Sequence, residues 1–172
     1  MQRKSSLILI ISAIFGFIVG YSITSGMFAD KTPEVKTFAS EGISITLTNE
    51  FRETFVDNYT VVYDSSNVAI FALEEEFSLA DGFENNTLEQ YAELVIQSNN
   101  INAAEVKKLD GLTYFEYDFI NPETLDSYKY FSYVYKTNDA FWLVQFATLS
   151  ENVEMYESQI IEWAKSVQFY VE

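Results

Sequence analysis

Carboxylate and amide side chains surround a glycine in a segment with the composition of a loop. Asp81, Glu84 and the amides at 85–86 offer oxygen atoms, which are the ligands that a hard cation such as Ca²⁺ prefers. Glu74 and Glu76 end a predicted strand shortly before this loop. If the fold brings these carboxylates together, they form a divalent-cation site. The spacing is not that of an EF-hand, so the alternative is a solvated loop beside a charged strand end that discourages edge pairing.

A second pair of carboxylates, Glu116 and Asp118, shares one face of a predicted strand, with the two residues about 7 Å apart. Across the following hairpin they are expected to lie near Tyr128 and Tyr130. Two carboxylates at this spacing could serve as the acid and base of a glycosidase-like hydrolase, or could hold a cation. The alternative needs no cleft: the acids pair with Lys129 or with water on a sheet face.

The composition excludes several other kinds of chemistry. The chain has no His and no Cys, which rules out disulfides, imidazole-ligated metals, an acylated cysteine, and Ser-His-Asp or Cys-His nucleophiles. Its 26 Asp+Glu against 10 Lys+Arg give a net charge of −16, which argues against nucleic acid as a partner. Because 48% of the residues are apolar, the chain can build a core. We expect no enzyme activity, and no cofactor other than Ca²⁺.

A long uncharged segment near the N-terminus runs from Ser5 to Ala29, directly after Arg3 and Lys4. As a helix it would be roughly 37 Å long, enough to cross a hydrocarbon layer of ~30 Å. The basic residues before it predict a single-pass anchor over 1–29, with the C-terminal domain outside the cytoplasm. The alternative is a signal peptide whose cleavage releases a secreted protein, although no small-x-small site ends the segment cleanly.

The predicted anchor would contact the bilayer through residues 7–29, and small residues recur in it at helical spacing. Ser12, Gly16 and Gly20 would share one helix face, the arrangement that lets two membrane helices approach closely. Self-association through this face is therefore an expectation. The alternative is that Gly and Ser are simply common in membrane spans.

Apolar and polar residues alternate in several short segments, which is the pattern of half-buried β-strands. Early strands are predicted at 35–40, 43–48, 59–63 and 68–73, and we assign all four to one antiparallel sheet. A later meander is predicted at 105–109, 112–120, 127–136 and 141–149, and we expect it at the centre of the sheet. Both faces of the meander carry large apolar groups, which implies that the sheet is covered on both sides.

Helical patterns lie between and after these strands. Thr87 begins a sequence with capping-box spacing, and the apolar residues that follow predict a helix over 88–98. Ser150 is placed to cap a last helix, and a short strand at 166–170 is expected to end the chain. The order of elements predicts an α+β domain over 35–172, in which helices flank an antiparallel β-sheet, joined to the anchor by a polar linker at 30–34.

This order of elements resembles the PsbP-like domain family, an α/β/α sandwich. The resemblance rests on the opening "EGISITLTNEF", on the aromatic meander "LTYFEYDF…YKYFSYVY…AFWLVQFAT", and on a closing helix that runs into "WAKSVQF". It covers about residues 35–172. The resemblance implies a non-catalytic domain that binds other proteins and sometimes metal ions. No functional residue of the family has a matching motif in this sequence, so none is assigned from the resemblance.

The sequence therefore favours a membrane-anchored, extracytoplasmic, non-catalytic domain that binds another envelope or membrane protein. The contact is expected at a sheet edge or at an exposed aromatic patch made of Tyr128, Tyr130 and Trp142. One alternative is a divalent-cation-binding accessory domain, which would use the carboxylates of the 74–84 region. The other is the carboxylate-based hydrolase described above, which would need a deep pocket.

Overall fold

The computed structural model describes residues 33–101 and 103–170. Two α-helices, α1 (Leu88–Ser98) and α2 (Val153–Lys165), accompany ten strands. In chain order the strands are β1 (Val35–Ser40), β2 (Ile43–Thr48), β3 (Arg52–Thr54), β4 (Val61–Asp64), β5 (Val68–Glu76), β6 (Lys107–Leu109), β7 (Leu112–Ile120), β8 (Ser127–Lys136), β9 (Ala140–Leu149) and β10 (Gln168–Phe169). The predicted anchor 1–29 and its small-residue face lie outside these ranges. Within them, no helix has the length and apolarity needed to cross a membrane.

The strands form two antiparallel sheets rather than one. The larger sheet has seven strands in the order β3-β4-β5-β9-β8-β7-β6, and the smaller has the order β1-β2-β10. The prediction that β1 and β2 share a sheet with β4 and β5 is therefore wrong. The β1–β2 hairpin pairs instead with β10, and the alternate buried residues Ile43, Ile45 and Leu47 pack onto a face of the larger sheet.

The two faces of the seven-stranded sheet are both covered, as the apolar pattern of the meander predicts. On one face, α1 packs through Tyr91, Ala92 and Val95. On the other face lie α2 and the three-stranded sheet, with Trp163 in the same cluster as β2. Each strand of the larger sheet therefore sends alternate side chains into two separate apolar cores.

Of the two predicted helix caps, the structure contains the one at Thr87 and lacks the one at Ser150. Thr87 caps α1 with a full capping box, in which its hydroxyl accepts from the Gln90 amide at 3.2 Å and the Gln90 side chain accepts from the Thr87 amide at 2.9 Å. Ser150, in contrast, begins a short 3-10 turn ahead of α2, and its hydroxyl lies 2.8 Å from that of Ser127. The helix starts three residues later, at Val153, without a side-chain cap.

Candidate functional site

The carboxylates predicted to bind a cation are not brought together. Within the described residues, no group of three or more acidic side chains is placed to hold a metal ion. Glu76 accepts a hydrogen bond of 2.8 Å from the Ser78 hydroxyl. The Glu84 carboxylate accepts a long hydrogen bond of 3.5 Å from the Asn85 side-chain amide. Neither Glu74 nor Asp81 completes a cluster with them, so the loop geometry does not support the cation site.

The middle residue of the acidic run, Glu75, is instead buried, with 4% of its surface exposed. The period of two along β5 places it in phase with Phe71 and Leu73, on the face covered by α1. Its carboxylate accepts a hydrogen bond from the Tyr91 hydroxyl of α1. The Tyr91 ring stacks on Phe141 at a centroid distance of 4.4 Å. Sequence alternation could have singled out Glu75, because an acid in phase with apolar residues needs a partner.

Burial raises the pKa of Glu75 above its ordinary value of 4.5, against the opposing effect of the Tyr91 hydrogen bond. Between pH 4.5 and the pKa of the folded state, the folded protein therefore binds more protons than the unfolded chain. We expect this group to lower the free energy of unfolding as the pH rises through that window. Glu75→Gln removes the titration, so its stability should fall less than that of the wild type between about pH 5 and pH 7.

Urea unfolding of both proteins at the two pH values measures this difference. Other acids in the chain contribute equally to both curves, so the comparison isolates Glu75. Two pH profiles that run parallel would contradict the assignment.

The predicted aromatic patch does not form at the surface. Tyr130 and Trp142 are 4% and 2% exposed, and only Tyr128 is half-buried. Tyr130 packs in the core under α1, whereas Trp142 points to the opposite face of the sheet and lies 5.1 Å from the Phe169 ring. The prediction is wrong because covering layers lie on both faces. Of the two contact surfaces expected from the sequence, this leaves the sheet edge.

Glu116 and Asp118 lie at that edge, in a row of ion pairs. The Glu116 carboxylate contacts the Lys107 ammonium at 2.9 Å and the Lys129 ammonium at 3.4 Å. Lys129 also reaches Asp118, at 3.6 Å. The pairing with Lys129 agrees with the alternative that needs no catalytic cleft. The prediction that Tyr128 and Tyr130 lie near these acids is wrong. The two tyrosines pair with Phe119 and Tyr117 and pack on the opposite face of the sheet.

The edge beyond these ion pairs is open. Strand β6 pairs only with residues Leu112 to Tyr114 of β7. Within the described part of the chain, no strand pairs with the outer side of residues 115–120. A cleft of about 590 Å³ lies beside residues 116–118 of this stretch, between β7 and the loop that contains Ile101 and Glu105.

The turn before β7 determines which backbone groups face the cleft. Asp110 and Gly111 both have positive φ, 52° and 85°, which makes a type I′ turn of the kind predicted from the sequence. Such a turn makes Leu109 and Leu112 a hydrogen-bonded pair, so alternate residues from Leu112 onward direct their N–H and C=O groups away from β8. Glu116 and Asp118 therefore present unpaired backbone donors and acceptors along the cleft.

Neither a family model nor a curated protein matches the sequence. Solved structures do match. Cyanobacterial PsbP (CyanoP) from Synechocystis sp. PCC 6803 is 12% identical, with a TM-score of 0.54 over 86% of this chain and 99% of that one. A protein from Bacteroides thetaiotaomicron is 13% identical, with a TM-score of 0.52 over 80% of this chain and 49% of its own. LpqN, involved in cell envelope biogenesis of Mycobacterium tuberculosis, is 11% identical, with a TM-score of 0.41 over 83% of this chain and 94% of its own.

These identities are low, so what the first two structures establish is the fold. They share with this chain the mixed α+β arrangement described above, as the resemblance read from the sequence implies. The domain that follows residue 33 therefore has the PsbP-like fold.

Proposed function

We propose that this chain is a membrane-anchored, extracytoplasmic, non-catalytic domain that binds another envelope or membrane protein by adding a strand to the open edge of β7. The observation that carries the proposal is the unpaired outer side of residues 115–120 beside a cleft. An exposed sheet edge is a template for an extended peptide, whose backbone supplies the affinity and whose side chains supply the specificity.

The charges around the cleft indicate which peptide fits. Both basic groups there, Lys107 and Lys129, already contact Glu116. Asp118 is 68% exposed and Glu105 is exposed as well. The accessible charge along the edge is therefore acidic, and we expect the added strand to carry Lys or Arg opposite Asp118.

The membrane attachment is supported by the uncharged segment from Ser5 to Ala29 and the basic residues before it. An anchor would hold the domain at the membrane, where other envelope and membrane proteins are close at hand. Tethering raises the effective concentration of such partners, so even a modest edge interaction would be populated.

Asp118→Pro tests the edge directly, because proline removes the outward N–H without touching the bonds to β8. We expect cross-linked recovery of the partner protein from native membranes to fall about tenfold, the effect of losing about 1.4 kcal/mol of binding free energy. The measurement is quantitative mass spectrometry of the cross-linked complex, with full-length wild type and variant side by side.

Lys108→Pro is the matched control. Lys108 lies opposite Thr113 in β6, at a position whose N–H also points off the sheet, but outside the open stretch. Its recovery of the partner should equal that of the wild type. Asp118→Lys, which keeps the N–H and reverses the charge, should lower recovery as well. Equal recovery by the wild type and both Asp118 variants, with thermal unfolding confirming that each variant is folded, would contradict binding at this edge.

A further inference from the structure

We propose that the tip of the β7–β8 hairpin, with the side chains of Ile120 and Leu125, contacts the surface of a neutral phospholipid bilayer. This proposal concerns the end of the domain rather than its edge, and it rests on the membrane attachment in the proposed function. Ile120 is 62% exposed and Leu125 is 76% exposed.

The hairpin loop is held rigidly by Asn121. The Asn121 side chain is buried in the loop and accepts hydrogen bonds from the backbone amides of Glu123 at 2.8 Å and Thr124 at 3.4 Å. Its backbone N–H donates to Asp126 at 2.9 Å, and its carbonyl accepts from Leu125 at 2.8 Å. The loop therefore presents a fixed surface and does not need to be ordered on binding.

Leu125 occupies a backbone conformation that leucine seldom adopts, with φ of +65°. This unusual conformation does not bury the leucine, because 76% of its surface remains exposed. Strained residues persist where the surrounding structure holds them, and they concentrate at functional contacts. An apolar side chain displayed in this way fits an apolar surface outside the domain.

The start of the domain lies at the same end of the sheet as this hairpin. Val35 pairs with Thr48 at the end of β2, and the Thr48 carbonyl accepts from the Phe51 amide at 3.2 Å. The chain then enters β3, where Arg52 pairs with Asp64 at the end of β4.

The same end continues across the larger sheet. The turn after β4 leads to Asn67, whose carbonyl accepts from the Thr148 hydroxyl of β9 at 2.9 Å. Leu149, the residue after Thr148, pairs with Tyr128. Tyr128 is the second residue of β8, the strand that begins where the hairpin loop ends. Residue 35 and the hairpin tip are therefore both at the end where β4, β7 and β9 finish.

The predicted anchor fixes how far this end can be from the membrane. From Ala29 to Pro33 there are four peptide steps, which reach at most about 14 Å when fully extended. Strands of the length of β8 and β9 are about 30 Å long. The tether therefore keeps the hairpin end of the sheet near the bilayer, whereas the opposite end can lie about 30 Å farther away. Exposure alone does not identify the side chains that contact the membrane, because Phe55, at the β3 edge, is 83% exposed as well.

The charge of the tip selects the kind of lipid. Residues 121–126 contain the acids Glu123 and Asp126 and no Lys or Arg. Acidic groups are repelled by anionic headgroups, so the contact has to come from the apolar side chains. Neutral phosphatidylcholine surfaces should be favoured over surfaces that contain phosphatidylglycerol.

The absence of native cysteine allows a clean test. Full-length Leu125→Cys, labelled with an environment-sensitive fluorophore, is placed in phosphatidylcholine nanodiscs with brominated acyl chains. The matched control is Leu79→Cys, which is 47% exposed in the native protein and follows β5 at the opposite end of the sheet. We expect bromine quenching at 125 to be about threefold stronger than at 79, and to weaken when phosphatidylglycerol is added.

Equal quenching at the two positions in a protein that remains attached to the nanodiscs would overturn the hairpin contact and leave the anchor in place. A full-length protein that does not co-purify with nanodiscs would overturn the membrane attachment itself, and this inference with it. Quenching at 125 that does not weaken with phosphatidylglycerol would overturn the preference for neutral lipid.

Discussion

Phe141→Ala is expected to lower the free energy of unfolding by about 3–5 kcal/mol. Phe141 is fully buried and lies where three aromatic side chains meet. Its ring stacks on Tyr91 and lies 5.2 Å from both Phe77 and Phe83, in edge-on arrangements. Alanine would leave a cavity that these rigid rings cannot easily close.

Phe55→Ala is the control for this prediction, since Phe55 is 83% exposed. It should change stability by no more than about 0.5 kcal/mol. Urea unfolding with an unchanged m-value measures both variants. A loss below about 1 kcal/mol for Phe141→Ala would mean that the α1-side core is not packed as described.

Tyr91→Phe is expected to cost about 2–3 kcal/mol at neutral pH, although it removes a single oxygen atom. Tyr91 is fully buried, and its hydroxyl donates to the carboxylate of Glu75. In the variant the buried carboxylate of Glu75 loses the hydrogen bond from Tyr91. The cost of leaving a buried charged group without this donor exceeds the net stabilisation by an ordinary hydrogen bond. The cost should shrink towards pH 5, because protonation of Glu75 removes the charge.

The double variant Glu75→Leu, Tyr91→Phe separates this penalty from a general packing defect. It removes both polar partners together, so it should be closer to the wild type in stability than Tyr91→Phe alone. Chemical denaturation of the single and double variants completes the cycle. If the double variant is the less stable of the two, the penalty does not come from an unpaired carboxylate.

Much of the secondary structure could be predicted from the sequence, because turn residues mark where strands stop. The predicted bounds of β7 and β8 match the structure, with Asp110-Gly111 before β7 and Asn121-Pro122 after it. The same holds for α1, whose capping box at Thr87 fixes its start. These are local signals, and they depend little on what packs around them.

The pairing of strands could not be predicted in the same way. Alternation in β2 identifies a buried face, but it does not say whether the strand joins a sheet at its edge or packs on its face. In the structure β2 pairs with β10, which lies far along the sequence, and so belongs to the separate three-stranded sheet. Ser150 has a good N-cap side chain, yet a 3-10 turn intervenes, and the Ser150 hydroxyl contacts Ser127 instead.

The candidate site was predicted in part. Sequence alternation put Glu116 and Asp118 on one face, and one of the alternatives paired them with Lys129 or with water. The ion pairs agree with the Lys129 alternative. Alternation could not identify the open edge, because the short pairing of β6 with β7 is a property of the tertiary path. Trp142 was placed at the surface because apolar residues on both faces do not reveal which are covered by a second sheet.

Site-specific photocross-linking from position 118 shows whether a partner strand binds at the open edge of β7. A photoreactive amino acid in place of Asp118, in full-length protein in its native membrane, reports what lies against the open edge of β7. We expect an adduct with one other protein, mapped to an extended segment that contains Lys or Arg, and none from the same probe at position 108. Adducts of equal yield and identity at both positions, or no protein adduct at 118, would contradict strand addition at this edge.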